Sequence, residues 1–210
     1  MKIVNPSYEI LSRISSNGSK ELKMIELAAR TCYKSEGKIT VDDYSARRMC
    51  KNLIKNQHEA MIEHSQLSVK LVVDRAIANE LVRHRVASFA QESTRYCNYS
   101  NDRFANEITV IKPSEIDEDS AQFVVWKNQM ESAEKAYFDM IGFGAKAENA
   151  RSVLPLCLKA EIVVTANYRE WRHIFNLRTA PDAHPDIRSI LNELLEDLKK
   201  KIPVIFDDIK

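Results

Sequence analysis

Glycine is scarce in this chain: only Gly18, Gly37, Gly142 and Gly144 occur among 210 residues. That count excludes a GxGxxG dinucleotide fingerprint and a P-loop, since both need clustered glycines where backbone approaches phosphate. A nucleotide bound here has to be gripped mainly by side chains. Cysteine is as sparse. Cys32, Cys50, Cys97 and Cys157 lie far apart with no CxxC pair, which argues against a zinc ribbon and for four free thiols. No apolar run approaches the ~18 residues of a membrane span. The first residues, MKIVNPSYEI, hold neither an apolar core nor a small-residue cleavage site, so a cytoplasmic protein is expected. Excess charge is missing too. The 31 basic and 30 acidic residues leave a net charge of +1, which argues against a chain whose task is to coat nucleic acid.

What is present suits a globular protein: 44% hydrophobic and 29% charged residues, in a length typical of one domain over 1–210. Short apolar stretches around Pro6 read as edge strands. Residues 19–32 read as a helix, and Asp42 or Asp43 is placed to cap a second one ending near Asn56. Leu67, Val69, Leu71 and Val73 alternate with Gln66, Ser68, Lys70 and Val72, the period of a half-buried strand. Asp74 then caps a short helix. Residues 88–103 are polar and aromatic without clear period, and 108–111 read as a strand. A helix over about 120–141 carries Ala121, Val125, Ala133, Ala136, Tyr137 and Met140 near one stripe. Residues 160–166 read as a buried strand and 167–177 as a helix. Ile187, Ile190, Leu191, Leu194, Leu195 and Leu198 mark the last helix, with Pro185 at its start and Lys199–Lys201 at its end. Helices outnumber strands and do not alternate with them. The fold class expected is α+β, a single domain with a small mixed or antiparallel sheet packed by several helices.

The chemistry concentrates in residues 83–96, RHRVASFAQESTRY. Arg83, Arg85 and Arg95 match phosphate oxygens bidentately, with hydroxyls and amides between them to complete an anion site. A solvated charged turn is an equally weighted alternative. His84 lies between two arginines, whose charge should lower its pKa. Residues 167–178, NYREWRHIFNLR, place Arg169 and His173 at i and i+4. That pair could grip a flavin or nucleotide, though a surface helix burying Trp171, Ile174 and Phe175 accounts for the pattern better when it is taken alone. His58 and His64 in HEAMIEH lack the HExxH zinc spacing, so no metal site is expected. Cys97 and Cys157 have no neighbour that would activate a thiolate, and Cys157 sits in the apolar run VLPLCL.

These blocks together resemble the flavin-dependent thymidylate synthases. RHR followed by seven residues and Ser93 resembles the family's signature. ARTCYKS at 29–35, HEAMIEHSQLSVKL at 58–71, ARSVLPLCLKAEIVVTANYREW at 150–171 and NLRTAPDAHPDIR at 176–188 resemble its other blocks in order. The resemblance implies reductive methylation of dUMP to dTMP without a cysteine nucleophile. Methylenetetrahydrofolate would supply the carbon, FAD would carry the hydride and NADPH would reduce the flavin. It implies a homotetramer with FAD at subunit junctions. It implies FAD contacts from His58, Ala60, Glu63, Arg83, His84, Arg85, Gln91, Asn167, Arg169 and His173. For dUMP it implies Glu80, Arg83, Gln91, Glu92, Ser93, Thr94, Arg95, Arg151 and Arg178, with Arg178 as the catalytic residue facing the uracil. Three positions depart from the family pattern: Glu80 replaces a common glutamine, Gln57 replaces a glycine before His58, and AHPDIR stands for AQWEIR. Glu80 keeps open a related flavoprotein acting on another nucleotide. A single-strand nucleic-acid module built on Arg83, Arg85, Arg95, Tyr96 and Tyr99 is the other alternative, against which the near-neutral charge counts.

Overall fold

The computed structural model describes all 210 residues, Arg103 by its backbone alone. Strands are β1 (Lys2–Val4), β2 (Ser7–Ile10), β3 (Gln66–Asp74), β4 (Ala87–Gln91), β5 (Thr109–Ile111) and β6 (Lys159–Asn167). Helices are α1 (Ser19–Thr31), α2 (Tyr44–Lys55), α3 (Arg75–Leu81), α4 (Ala121–Gly142), α5 (Ala147–Ala150), α6 (Tyr168–Arg178) and α7 (Pro185–Lys201). One sheet pairs β1 with β5 in parallel, from Lys2–Thr109 to Val4–Ile111. The other runs in the order β2–β3–β6–β4. No described helix is long and apolar enough to cross a membrane. The chain forms two compact units, the first Met1–Ser7, Leu71–Arg83 and Phe89–Val163, the second Tyr8–Lys70, His84–Ser88 and Val164–Lys210. Strands β3 and β6 contribute a stretch to each.

The first unit has a core of Tyr99, Ile108, Val110, Met130, Tyr137, Ala150 and Leu158. Tyr99 meets Phe104 and Tyr137 edge-on at 5.2 and 5.7 Å, and its backbone N–H donates to the Tyr137 hydroxyl. The expected Asp74 cap is formed, its Oδ1 accepting the Ile77 N–H at 2.6 Å. Ser120 caps α4 the same way, from Phe123 at 3.1 Å. The C-terminal half of the expected α4 stripe holds, with Ala133 and Tyr137 buried and Ala136 and Met140 half-buried, whereas Ala121 and Val125 at its start are exposed. Met130 is the buried residue the expectation lacked, and Val125 is 70% exposed. Alanines and valines occur on more than one face of this helix, so residue type alone could not fix which turns are buried. Trp126 stacks on Phe123 at 5.6 Å.

In the second unit α1 packs on α2 through Leu22, Ile25 and Ala29 against Ala46, Cys50 and Leu53. Glu26, wholly buried, accepts from Arg30 at 2.6 and 2.7 Å and from the Ser45 hydroxyl at 2.9 Å. The expected cap of α2 is not made. Asp43 sits at the cap position but gives its carboxylate to Arg47 at 2.8 Å, and Asp42 accepts the Tyr44 N–H at 3.3 Å instead. Trp171, fully buried on α6, donates to the Leu67 carbonyl at 2.9 Å. Helix α7 buries the six residues its period marked. Gly18 is required where it stands. Its φ is +66° and a Cβ there would meet Ile202 Cγ2 at 2.8 Å.

Strand β4 falls where the sequence showed no period. Its burial does alternate, but its residues are Ala, Ser, Phe, Ala and Gln, which do not sort by polarity. The turn before His58 is a Schellman end to α2. The N–H of Gln57 donates to the Ile54 carbonyl at 3.0 Å and that of His58 to Leu53 at 2.8 Å, with Gln57 at φ +58°. Gln57 therefore holds the left-handed conformation that glycine adopts without strain. Gln57→Gly should stabilise the protein by about 0.5–1 kcal/mol, the relief of left-handed strain less the added freedom of the unfolded chain. A rise in Tm of a few degrees checks it; an unchanged or lower Tm would show that the turn carries no strain.

Candidate functional site

The stretch 83–96 is divided between the two units. The chain passes from the first to the second after Arg83 and returns at Phe89. The residues implied for the nucleotide lie in the first unit, apart from Arg178. Those implied for the flavin lie in the second, apart from Arg83 and Gln91.

In the first unit, α3 carries half-buried Glu80, and exposed Arg83 follows it in a turn closed by the Arg83 N–H on the Glu80 carbonyl. Strand β4 delivers Gln91 and then the loop 92–97. Glu92 is bound internally. Its carboxylate accepts the Tyr99 hydroxyl at 3.2 Å, Lys159 Nζ at 2.8 Å and the Glu161 N–H at 3.3 Å. Burial, then the Glu92 charge, hold the Tyr99 phenol protonated well above its ordinary range. Glu92 therefore stiffens the loop rather than reaching out of it. The Ser93 hydroxyl accepts the Arg95 N–H at 3.3 Å, and its carbonyl accepts from Tyr96 and Cys97. Arg151, on the 3-10 turn after α5, reaches buried Thr94 Oγ1 at 3.5 Å. Arg95 pairs with Glu148 at 3.2 Å and lies 5.3 Å from the Tyr96 ring centroid. Ser93, Thr94 and Arg95 of the loop and Arg151 of the 3-10 turn are thus gathered together, Thr94 on the buried side. Gln91 Nε2 is buried without a hydrogen-bond partner. A buried donor left unpaired is costly, and an oxygen of a bound nucleotide would satisfy it.

In the second unit a cleft of about 470 Å³ is lined by Glu63, Asn167, Arg169 and His173 of the implied flavin set, together with Glu59 and Arg172. His58 and Ala60 line a second, larger cleft of about 760 Å³, beside Tyr33 and Met61. The 3-10 turn Glu59–His64 contributes to both. Asn167 caps α6, its Oδ1 accepting the Glu170 N–H at 2.8 Å, so its amide N–H groups remain to face a ligand. Arg169 pairs with Glu63 at 2.7 Å. Buried Arg172 is held by Glu59 at 3.1 Å and by both oxygens of Asp208 at 2.6 and 2.8 Å. The donors, a half-exposed guanidinium among them, suit a phosphate-bearing cofactor with polar ring edges. The flavin fits this residue set. Arg85 is exposed, and Val86 next to it joins the smaller cleft.

His84 is 5% exposed. Arg178 Nε donates to its Nε2 at 3.1 Å, Glu170 Oε1 lies 3.6 Å from its Nδ1, and the His173 ring meets it edge-on at 5.7 Å. Its pKa is pushed down to about 4, first by burial and then by the charges of Arg178 and His173. The direction matches the sequence reading, but the cause differs. Arg83 and Arg85 flank His84 in sequence, yet both are exposed to water, which screens their charge. Burial raises the thiols of Cys50 to about 12 and Cys157 to about 11. His84, Glu170 and His173 place one potential metal-ligating atom each within 4.8 Å of one another.

Glu59, Glu170 and Arg172 were not singled out from sequence. Glu59 and Glu63 are spaced i, i+4 inside HEAMIEH, a carboxylate pair that the sequence does carry. Arg172 reads as one more surface cation until its three carbonyl and carboxylate partners are seen.

Residues 14–204 match the family model described as thymidylate synthase complementing protein. A flavin-dependent thymidylate synthase of Geobacter sulfurreducens is 32% identical over 191 residues, spanning 88% of this chain and 80% of its own. One of Pyrococcus abyssi is 32% identical over 189 residues, spanning 87% and 76%. Among solved structures, a UMP/dUMP methylase, PolB, of Streptomyces cacaoi bound with 5-Br dUMP matches with a TM-score of 0.78 over 99% of this chain and 96% of that one. At 23% identity this is a likeness of fold.

A histidine kept neutral by the fold has a signature in acid. Below the ordinary histidine pKa near 6.5 the unfolded chain takes up a proton that native His84 refuses until about pH 4. Stability supplied by this site is therefore complete above about pH 6.5 and is lost as pH falls towards 4. Tm should drop across that window in wild type, and His84→Gln should show a shallower slope. Parallel slopes would place His84 among ordinary, solvated histidines.

Proposed function

The chain belongs to the thymidylate synthase complementing protein family, that of the flavin-dependent thymidylate synthases, and we propose that it methylates dUMP reductively to dTMP. FAD is the flavin in this reading, NADPH its reductant and methylenetetrahydrofolate the carbon donor. The working form is a cytoplasmic homotetramer. The observation that carries the reading is Arg178 donating to a neutral, buried His84 of the RHR block, in a chain so similar to named members of the family.

Each residue's part follows from its chemistry. Arg151, Arg95 and Arg83 bind the nucleotide phosphate, because guanidinium forks match its oxygens. Ser93 and Thr94 add hydroxyl contacts, and the buried Gln91 amide donates to a nucleotide oxygen. Glu92 holds that loop in shape, and Glu80 borders it. Arg178 faces the uracil and stabilises negative charge as N3 ionises, a task for a cation that never loses its proton. His58, Ala60, Glu63, His84, Arg85, Asn167, Arg169 and His173 would hold the flavin. Bound FAD supplies hydride transfer, which no side chain can. The high thiol pKa values of Cys50 and Cys157 support a route without a cysteine nucleophile.

The test is a visible absorption spectrum of the purified protein, repeated anaerobically with NADPH and then dUMP. A flavin spectrum that bleaches with NADPH and responds to dUMP is expected. A colourless protein that takes up no added FAD would overturn the reading. Arg178→Ala should lower turnover by about 10²-fold or more while flavin content holds; loss of flavin instead would reassign Arg178 to the cofactor. Turnover should survive in Cys32→Ser/Cys97→Ser, and its complete loss in a folded protein would restore a thiol mechanism.

A further inference from the structure

A neutral imidazole that accepts at one nitrogen carries its proton on the other. Arg178 Nε is always a donor, so His84 Nε2, 3.1 Å from it, is the bare nitrogen. The His84 proton then sits on Nδ1, which faces Glu170 Oε1 at 3.6 Å. At that distance the contact is electrostatic rather than a formed hydrogen bond. Its sign is still decisive. The other tautomer would turn a lone pair towards a carboxylate and an N–H towards a guanidinium N–H, two repulsions in a nearly dry place. Glu170 is 9% exposed and His84 5%, so water does little to weaken either contact. Glu170 is held in position as well. It stands in the first turn of α6, with its N–H on the Asn167 side chain at 2.8 Å. Among the described residues, the charged and titratable groups found against His84 are Glu170, His173 and Arg178, each on α6.

We propose that Glu170 is a positioning residue: its carboxylate fixes the His84 proton on Nδ1 and so keeps Nε2 as the acceptor that orients the Arg178 guanidinium. The effect on catalysis rests on the reading of Arg178 as the group that faces the uracil. The same geometry argues against a metal at His84, Glu170 and His173. The Nε2 lone pair is taken by Arg178, Nδ1 carries a proton, and a guanidinium stands where a second cation would have to approach.

Long-range proton–nitrogen correlation of the full-length protein, labelled with ¹⁵N-histidine, reads the tautomer directly; loss of one signal in His84→Gln identifies it. The expected wild-type spectrum shows His84 neutral and protonated on Nδ1 at pH 7. In Glu170→Leu the signal should move towards the Nε2–H form, and kcat should fall by about ten- to a hundredfold with flavin content and the KM for dUMP little changed. Glu170→Gln, whose amide oxygen still accepts, should keep the wild-type tautomer and most of the rate. A wild-type His84 protonated on Nε2 would overturn the proposal, as would Glu170→Leu retaining both tautomer and rate. If Glu170→Leu does not fold, the wild-type and Glu170→Gln spectra decide. Failure of the enzyme reading looks different: wild type would bind no flavin and turn over no dUMP, whichever nitrogen carried the proton.

Discussion

The guanidinium of Arg172 is the tie on which the second unit's clefts depend. A buried cation costs several kcal/mol unless its donors are met. Here Nε goes to Glu59, Nη1 to the Ile205 carbonyl and Asp208, and Nη2 to the other oxygen of Asp208. Those partners come from two places in the chain, the 3-10 turn 59–64 and the C-terminal residues, and Arg172 ties both to helix α6. With the turn pinned to α6, Glu63 can meet Arg169, and both face the smaller cleft. Arg172 also holds the Asp208 carboxyl below the usual carboxylate range, so the tie persists into mild acid.

The loop after β4 solves a related problem. An acidic residue among arginines would weaken their pull on any anion if its charge pointed the same way. Glu92 instead turns inward, where Lys159, the Tyr99 hydroxyl and a backbone N–H take up its charge. The loop keeps a firm anchor on the aromatic core around Tyr99. The guanidinium of Arg151 stays exposed, with Thr94 Oγ1 at 3.5 Å.

Much of this was legible beforehand. Strands β3 and β6, the cap Asp74 and the apolar face of α7 all carry strong local patterns, and packing obeyed them. Strand β4 was hidden because Ala, Ser and Gln have no preference that separates inside from outside. The exposure of the first turns of α4 was hidden because Ala121 and Val125 are apolar like the residues buried further along. The arginine blocks announced an anion site, but not how they are divided. Which arginines stay exposed, and which cation lowers the pKa of His84, depend on contacts about a hundred residues apart in sequence. Arg178 reaches His84 across 94 residues and Arg172 reaches Glu59 across 113. No local window contains both partners.

The two tryptophans have a practical consequence. Trp126 belongs to the first unit, half-exposed and stacked on Phe123; Trp171 belongs to the second, fully buried with its indole N–H bonded to Leu67. Indole emission shifts with polarity and with ring contacts, so the two report in different colours and from different units. Replacing either one with phenylalanine turns intrinsic fluorescence into a private thermometer for the other unit. Coincident melting of the two would mark one cooperative body, and separated melting would mark two.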